Sequence, residues 1–102
     1  SMQLDIENVK GRKQIKFTEH ARIEMAKDDI YVSEVLKALE NGKIIERYPA
    51  DRPFPSCLLY GKANDKPIHI VCALPEHVNI LIIVTVYIPD PEKWVNFERR
   101  VR

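Results

Sequence analysis

No apolar run in this chain comes near the ~20 residues that cross a bilayer, and no charged-then-apolar leader opens it. The expectation is a cytoplasmic protein. Cysteine is scarce: Cys57 and Cys72 form no C-x-x-C pair and are too few for a disulfide framework, so they read as core thiols in a reducing compartment. His20, Cys57, His69, Cys72 and His77 have no metal-ligand spacing, so no metal and no cofactor is expected. Ser56 and Cys57 lie on no nucleophile elbow. A basic excess is missing too, because the net charge is only +1. Any surface for nucleic acid must therefore come from local clustering. Two clusters exist, "KGRKQIK" over 10–16 and "ERRVR" at the end, and their plainer readings are a solvated face and a frayed tail.

What is present suits one domain of 102 residues with a single core. Ser1 before Met2 reads as a tag remnant, and residues 1–14 as an N-terminal arm, either a short helix or irregular. "IKF" (15–17) is a short strand. Thr18 caps a helix through "EHARIEMAKD". A second helix covers about 31–41, with Val32, Val35, Leu36 and Leu39 as its core stripe and Gly42 as a left-handed stop. Strands follow at 43–48, 56–63, 66–74 and 79–88. The segment "PADRPFP" (49–55) is a loop, because three prolines in seven positions cannot ladder. Asp90 and Pro91 start a terminal helix on which Trp94, Phe97 and Val101 recur, with Trp94 as a packing anchor. This order predicts an α+β fold with a twisted antiparallel sheet of about four strands and helices on one face.

His69 interrupts the apolar alternation of Ile68, Ile70 and Cys72. Read structurally, it is a half-exposed strand residue. Its neighbours follow from register. A two-residue turn at Asn64-Asp65 sets Cys57 opposite Cys72, Leu59 opposite Ile70 and Tyr60 opposite His69. A turn centred on His77 sets Val84 opposite Ile70 and Thr85 opposite His69. Ile80, Ile82, Val84, Val86 and Ile88 then face the helices. The other face gathers Tyr60, Lys62, His69, Thr85 and Tyr87 at one end, and Leu58, Val71, Leu81 and Ile83 at the other. The polar half reads as an open groove suited to a phosphate and a base.

The segments "FTEHARIEMA", "VLKALENGKIIERYPADRPFPSCLLYGKA", "PIHIVCAL" and "VTVYIPDPEKW" resemble a widespread bacterial and archaeal domain family, catalogued as uncharacterised, over about residues 15–100. That family is distantly similar to the RelE, BrnT and MqsR toxins. The resemblance implies a single RelE-like domain over 15–102 and a toxin-like, metal-independent endoribonuclease that acts through a ribose 2′-OH. RNA and an antitoxin protein would be its partners. Carried over residue by residue, it points to His20, Arg52, His69 and Tyr87. His69 or Tyr87 would be the general acid or base, with Tyr60 beside them. Lys62 and Arg52 would hold phosphate. His20 would either join them or be structural. The competing reading is a non-catalytic protein-binding module on the same fold.

Overall fold

The computed structural model describes residues 3–102. Three helices, α1 (Ile6–Lys10), α2 (Glu19–Lys27) and α3 (Val32–Asn41), interleave with five strands of one sheet. The strands are β1 (Gln14–Phe17), β2 (Lys43–Tyr48), β3 (Ser56–Ala63), β4 (Lys66–Ala73) and β5 (Ile80–Tyr87). Two short strands, β6 (Trp94–Val95) and β7 (Arg99–Arg100), form a separate hairpin. The α+β class is as expected, but the sheet is mixed and has five strands. Its order is β1-β5-β4-β3-β2, with β1 parallel to β5 and the other pairs antiparallel. A parallel neighbour needs a long crossover, which α2, α3 and the intervening strands supply. Among the described residues, no helix is long and apolar enough to cross a membrane.

Local chemistry sets the helix starts. Asp5 accepts from the Asn8 N–H at 2.9 Å, and Thr18 accepts from the Ala21 N–H at 3.0 Å. Thr18 also donates to the Val84 carbonyl at 2.8 Å, tying the start of α2 to β5. The Glu34 carboxylate accepts from the Tyr31 N–H and from Lys66 Nζ, each at 2.9 Å, anchoring α3 to β4. The core stripe of α3 is Val35, Ala38 and Leu39. Val32 and Leu36, expected inside, are more than 40 % exposed. Gly42 ends the helix with φ −72°, so it is not the left-handed stop its position suggested. A Cβ there would lie 2.7 Å from the Ala38 carbonyl oxygen, and that close approach explains the glycine.

One face of the sheet holds Cys57, Leu59, Ile68, Ile70 and Cys72, packed against Val9, Ala21, Met25, Val35 and Ala38. The β3–β4 register is the expected one: Asn64 takes φ 54° in the turn, and Tyr60 pairs with His69. The β4–β5 register is not. His69 pairs with Tyr87 and Ile70 with Val86, then a bulge between Val71 and Cys72 brings Ile83 opposite Cys72. The bulge reverses parity along β5. Leu81, Ile83 and Val86 therefore face the helices, rather than Ile80, Ile82 and Val84.

The terminal segment is no helix. Trp94 N–H reaches the Asp90 carbonyl at 3.2 Å, a single helical-type bond. Asn96 and Phe97 then adopt left-handed φ of 52° and 64°. Two consecutive positive values make the tight turn that joins β6 to β7.

Candidate functional site

Register lines up Lys43, Tyr60, His69 and Tyr87 across β2, β3, β4 and β5. All four lie on the sheet face away from the helices. The next row holds Glu46, Leu58, Val71 and Thr85, and Tyr48 follows opposite Ser56. Tyr60 and Tyr87 rings stand edge-on to the His69 ring, with centroids 5.8 and 5.2 Å away. So His69, Tyr87 and Tyr60 come together as predicted.

The groove is not open, however. His69 is 0 % exposed, which corrects the half-exposed reading. The β6–β7 hairpin lies over it. Trp94 packs edge-on against the imidazole at 4.6 Å, and Phe97 tilts against Tyr60 at 6.0 Å. Ion pairs close the rim: Arg100 to Glu46 at 2.8 Å, and Lys43 to Glu98. The Arg100 guanidinium also sits 4.7 Å over the Trp94 ring. The apolar end of the same face is covered by the 49–55 loop, where Asp51, Pro53 and Phe54 enclose a hollow with Ser56, Ala73, Ile82 and Val84.

Hydrogen bonding fixes the His69 tautomer. Nε2 lies 2.6 Å from the Phe97 carbonyl, which only accepts, so Nε2 carries the proton. Nδ1 of the neutral ring then accepts from Tyr87 Oη at 3.1 Å. Burial lowers the His69 pKa against the opposing effects of the Phe97 carbonyl and Glu46. Burial likewise raises Tyr87. Arg100 holds Glu46 ionised below its usual value, helped by the Tyr48 hydroxyl. Burial and Glu46 together push Tyr48 up to about 12.

These directions predict a two-stage acid response. The folded His69 has a pKa below that of the unfolded chain, so unfolding takes up a proton. Stability present above about pH 6.5 is lost as pH falls below that value, until the folded ring itself titrates. The slope is at most about 1.4 kcal/mol per pH unit. A second loss begins below about pH 4.5, where Glu46 and Glu34 take up protons in the unfolded chain while the folded carboxyls, both lowered, stay ionised. Urea midpoints measured from pH 8 to 3 check this, and a flat profile between pH 6.5 and 5 would contradict it.

The other predicted residues lie apart. Lys62 shares the face of Tyr60 two residues along β3 and is exposed. Arg52 sits in the 49–55 loop beside Ser56 and Ala73, four residues along the strands from the Tyr60–His69 pair, or about 13 Å. His20 is exposed on α2, on the helix side of the sheet. Cys57 and Cys72 lie in the helix-side core with sulfurs 3.7 Å apart. Among the described residues, no three His, Cys, Asp or Glu side chains converge as metal ligands.

Glu46, Tyr48 and Arg100 were missed by sequence reasoning. Strand parity in "KIIERY" could have put Glu46 and Tyr48 on one face. Nothing local could have brought Arg100, 54 residues away, onto Glu46.

Residues 17–88 match the model of a protein family described as a domain of unknown function (DUF4258). No curated protein and no solved structure matches the chain. The matched segment contains the Lys43–Tyr60–His69–Tyr87 row, while the hairpin over it lies beyond the match.

Proposed function

The chain belongs to the DUF4258 family, whose description assigns no activity, and from its side chains we propose a toxin-like, metal-independent endoribonuclease on a RelE-like arrangement of strands and helices. One observation carries this reading: the His69–Tyr87 hydrogen bond, with Tyr60 alongside, sits in a row of the sheet bordered by Lys43 and Lys62. In the reaction, one member of the His69–Tyr87 pair takes the proton of a ribose 2′-OH. The 2′-oxygen bonds to the adjacent phosphorus, and the bond to the 5′-oxygen breaks. The other member protonates that oxygen, leaving a 2′,3′-cyclic phosphate. Lysine ammonium groups stabilise the charge on the phosphate as it builds. Substrate access requires the β6–β7 hairpin to lift, which frees Nε2 from the Phe97 carbonyl.

A second reading, the non-catalytic protein-binding module, is favoured by the burial of His69. Both ring nitrogens are spent inside the protein.

The test compares induced expression of the parent chain with a Tyr60→Phe, Tyr87→Phe double variant, which keeps both rings in the packing. The nuclease reading expects growth arrest and RNA ending in 2′,3′-cyclic phosphate from the parent, also with chelator present, and neither from the variant. A Trp94→Ala chain, with its cover loosened, is expected to cleave faster than the parent. Absence of cleavage by both parent and Trp94→Ala chains would leave the module reading standing.

A further inference from the structure

The sheet has two edge strands, β1 and β2, and the β1 edge lies at the other end of β5 from the His69 row. β1 ends the strand order and pairs only with β5, so one side of its backbone has no partner strand. Gln14 N–H bonds to Asn79 and Thr18 N–H to Ile83, both on the inner side. Parallel pairing uses alternate residues, so the N–H and C=O groups of Ile15 and Phe17 point outward.

A hollow flanks this edge on each face of the sheet. On the helix side, about 250 Å³ is lined by Val9, Ile15, Leu36, Leu39 and Leu81. On the opposite side, about 400 Å³ is lined by Phe54, Val78, Ile80 and Ile82, with Lys16 at its rim. Exposed large apolar side chains gather here: Ile15 and Leu36 at the first hollow, Phe54 and Val78 at the second, each 36–49 % exposed. An open edge with apolar side chains on both faces is a template for another strand.

Charge selects the occupant. Residues 10–16 carry Lys10, Arg12, Lys13 and Lys16 and no acid. Arg12 is turned onto the backbone carbonyls of Pro75, Val78 and Ile80, where it braces the β5 entry. Lys13 and Lys16 are exposed and form no ion pair among the described residues. Glu40 and Glu76 also line the hollows, one in each, against Lys10 and Arg12 in the first and Lys16 in the second. A second copy meeting this edge through its own β1 would set these lysines against their equivalents. RNA would meet the cations but leave the apolar hollows unfilled.

We propose that the β1 edge binds an extended acidic segment of a partner protein, which joins the sheet as a sixth strand. Alternate apolar side chains of that segment enter the two hollows, and its carboxylates meet Lys13 and Lys16. The proposal requires no RNA cleavage, and its test reads binding alone, so the two can fail separately.

The probe is a fluorescent peptide of about eight residues, in which pairs of leucines alternate with pairs of glutamates, so each strand face carries both. Anisotropy is expected to show saturable binding to the parent chain that weakens as salt rises. A Lys13→Glu, Lys16→Glu chain is expected to bind at least about tenfold more weakly, and Leu36→Asp similarly. The same peptide with every backbone nitrogen methylated has no N–H to donate from either edge and is expected not to bind; this arm leaves the protein unaltered. The proposal is overturned if a lysine-for-glutamate peptide binds as well, if the methylated peptide binds equally, or if oligoadenylate displaces the probe. It also fails if no binding appears at about millimolar peptide, or if sedimentation shows a homodimer that Leu36→Asp abolishes.

Discussion

Replacing His69 with Ala lowers stability by about 3–5 kcal/mol, the range for emptying a buried ring site. The imidazole is fully buried among Tyr60, Tyr87 and Trp94, so its loss leaves a cavity between sheet and hairpin. It also strands two polar groups. The Phe97 carbonyl loses its donor and the Tyr87 hydroxyl its acceptor, each costing about 1–3 kcal/mol if it stays dry. Part of that second cost disappears if the hairpin opens and lets water in. The urea midpoint should therefore fall while Trp94 emission shifts to the red in the still-folded protein. His69→Gln, whose amide can donate to the Phe97 carbonyl, should recover part of the loss. A loss under about 1 kcal/mol with unchanged Trp94 emission would show that the histidine does not hold the cover down.

Gly61→Ala should be nearly as damaging, although it adds a single methyl group. A Cβ at Gly61 would lie 2.0 Å from the Ala38 carbonyl oxygen and 2.8 Å from the carbonyl carbon. Those are backbone atoms inside α3, so no side-chain rotation relieves the clash. The helix must move off β3 by more than an ångström, loosening the contacts of Val35, Ala38 and Leu39 with the sheet. The expected cost is about 3 kcal/mol, at the upper end for overpacking, read from the shift in urea midpoint. Ala38→Gly should give no rescue, because the obstructing atoms belong to the peptide group. Rescue by that second substitution would place the conflict in the side chain and refute the backbone argument.

Legibility from sequence followed the range of the interactions. The β3–β4 pairing could be read because the apolar alternation opposes a slip by one residue, and the two-residue turn at Asn64-Asp65 selects the observed register over a slip by two that would set Lys62 opposite His69. β5 offers no such guide. "ILIIVTVY" is apolar at both parities, so nothing in it reveals the bulge beside Val71 that reverses its faces. The terminal segment misled for a related reason. Trp94, Phe97 and Val101 fit helical spacing, and Asp90 does begin one helical-type bond. What turns the chain instead is the docking of Trp94 and Phe97 on the His69 row, together with the Glu46–Arg100 and Lys43–Glu98 pairs.

By itself, then, the order of residues determined α2 and α3, the Thr18 cap, the central hairpin and the meeting of Tyr60 with His69. Each rests on contacts a few residues apart, or on the period-two alternation of a strand. Tertiary structure alone decided that β1 lies parallel to β5 at an open edge, and that His69 is roofed rather than exposed. Those outcomes depend on surfaces that come together only after the chain has collapsed, where burial of Trp94 and pairing of Glu46 with Arg100 outweigh local preference.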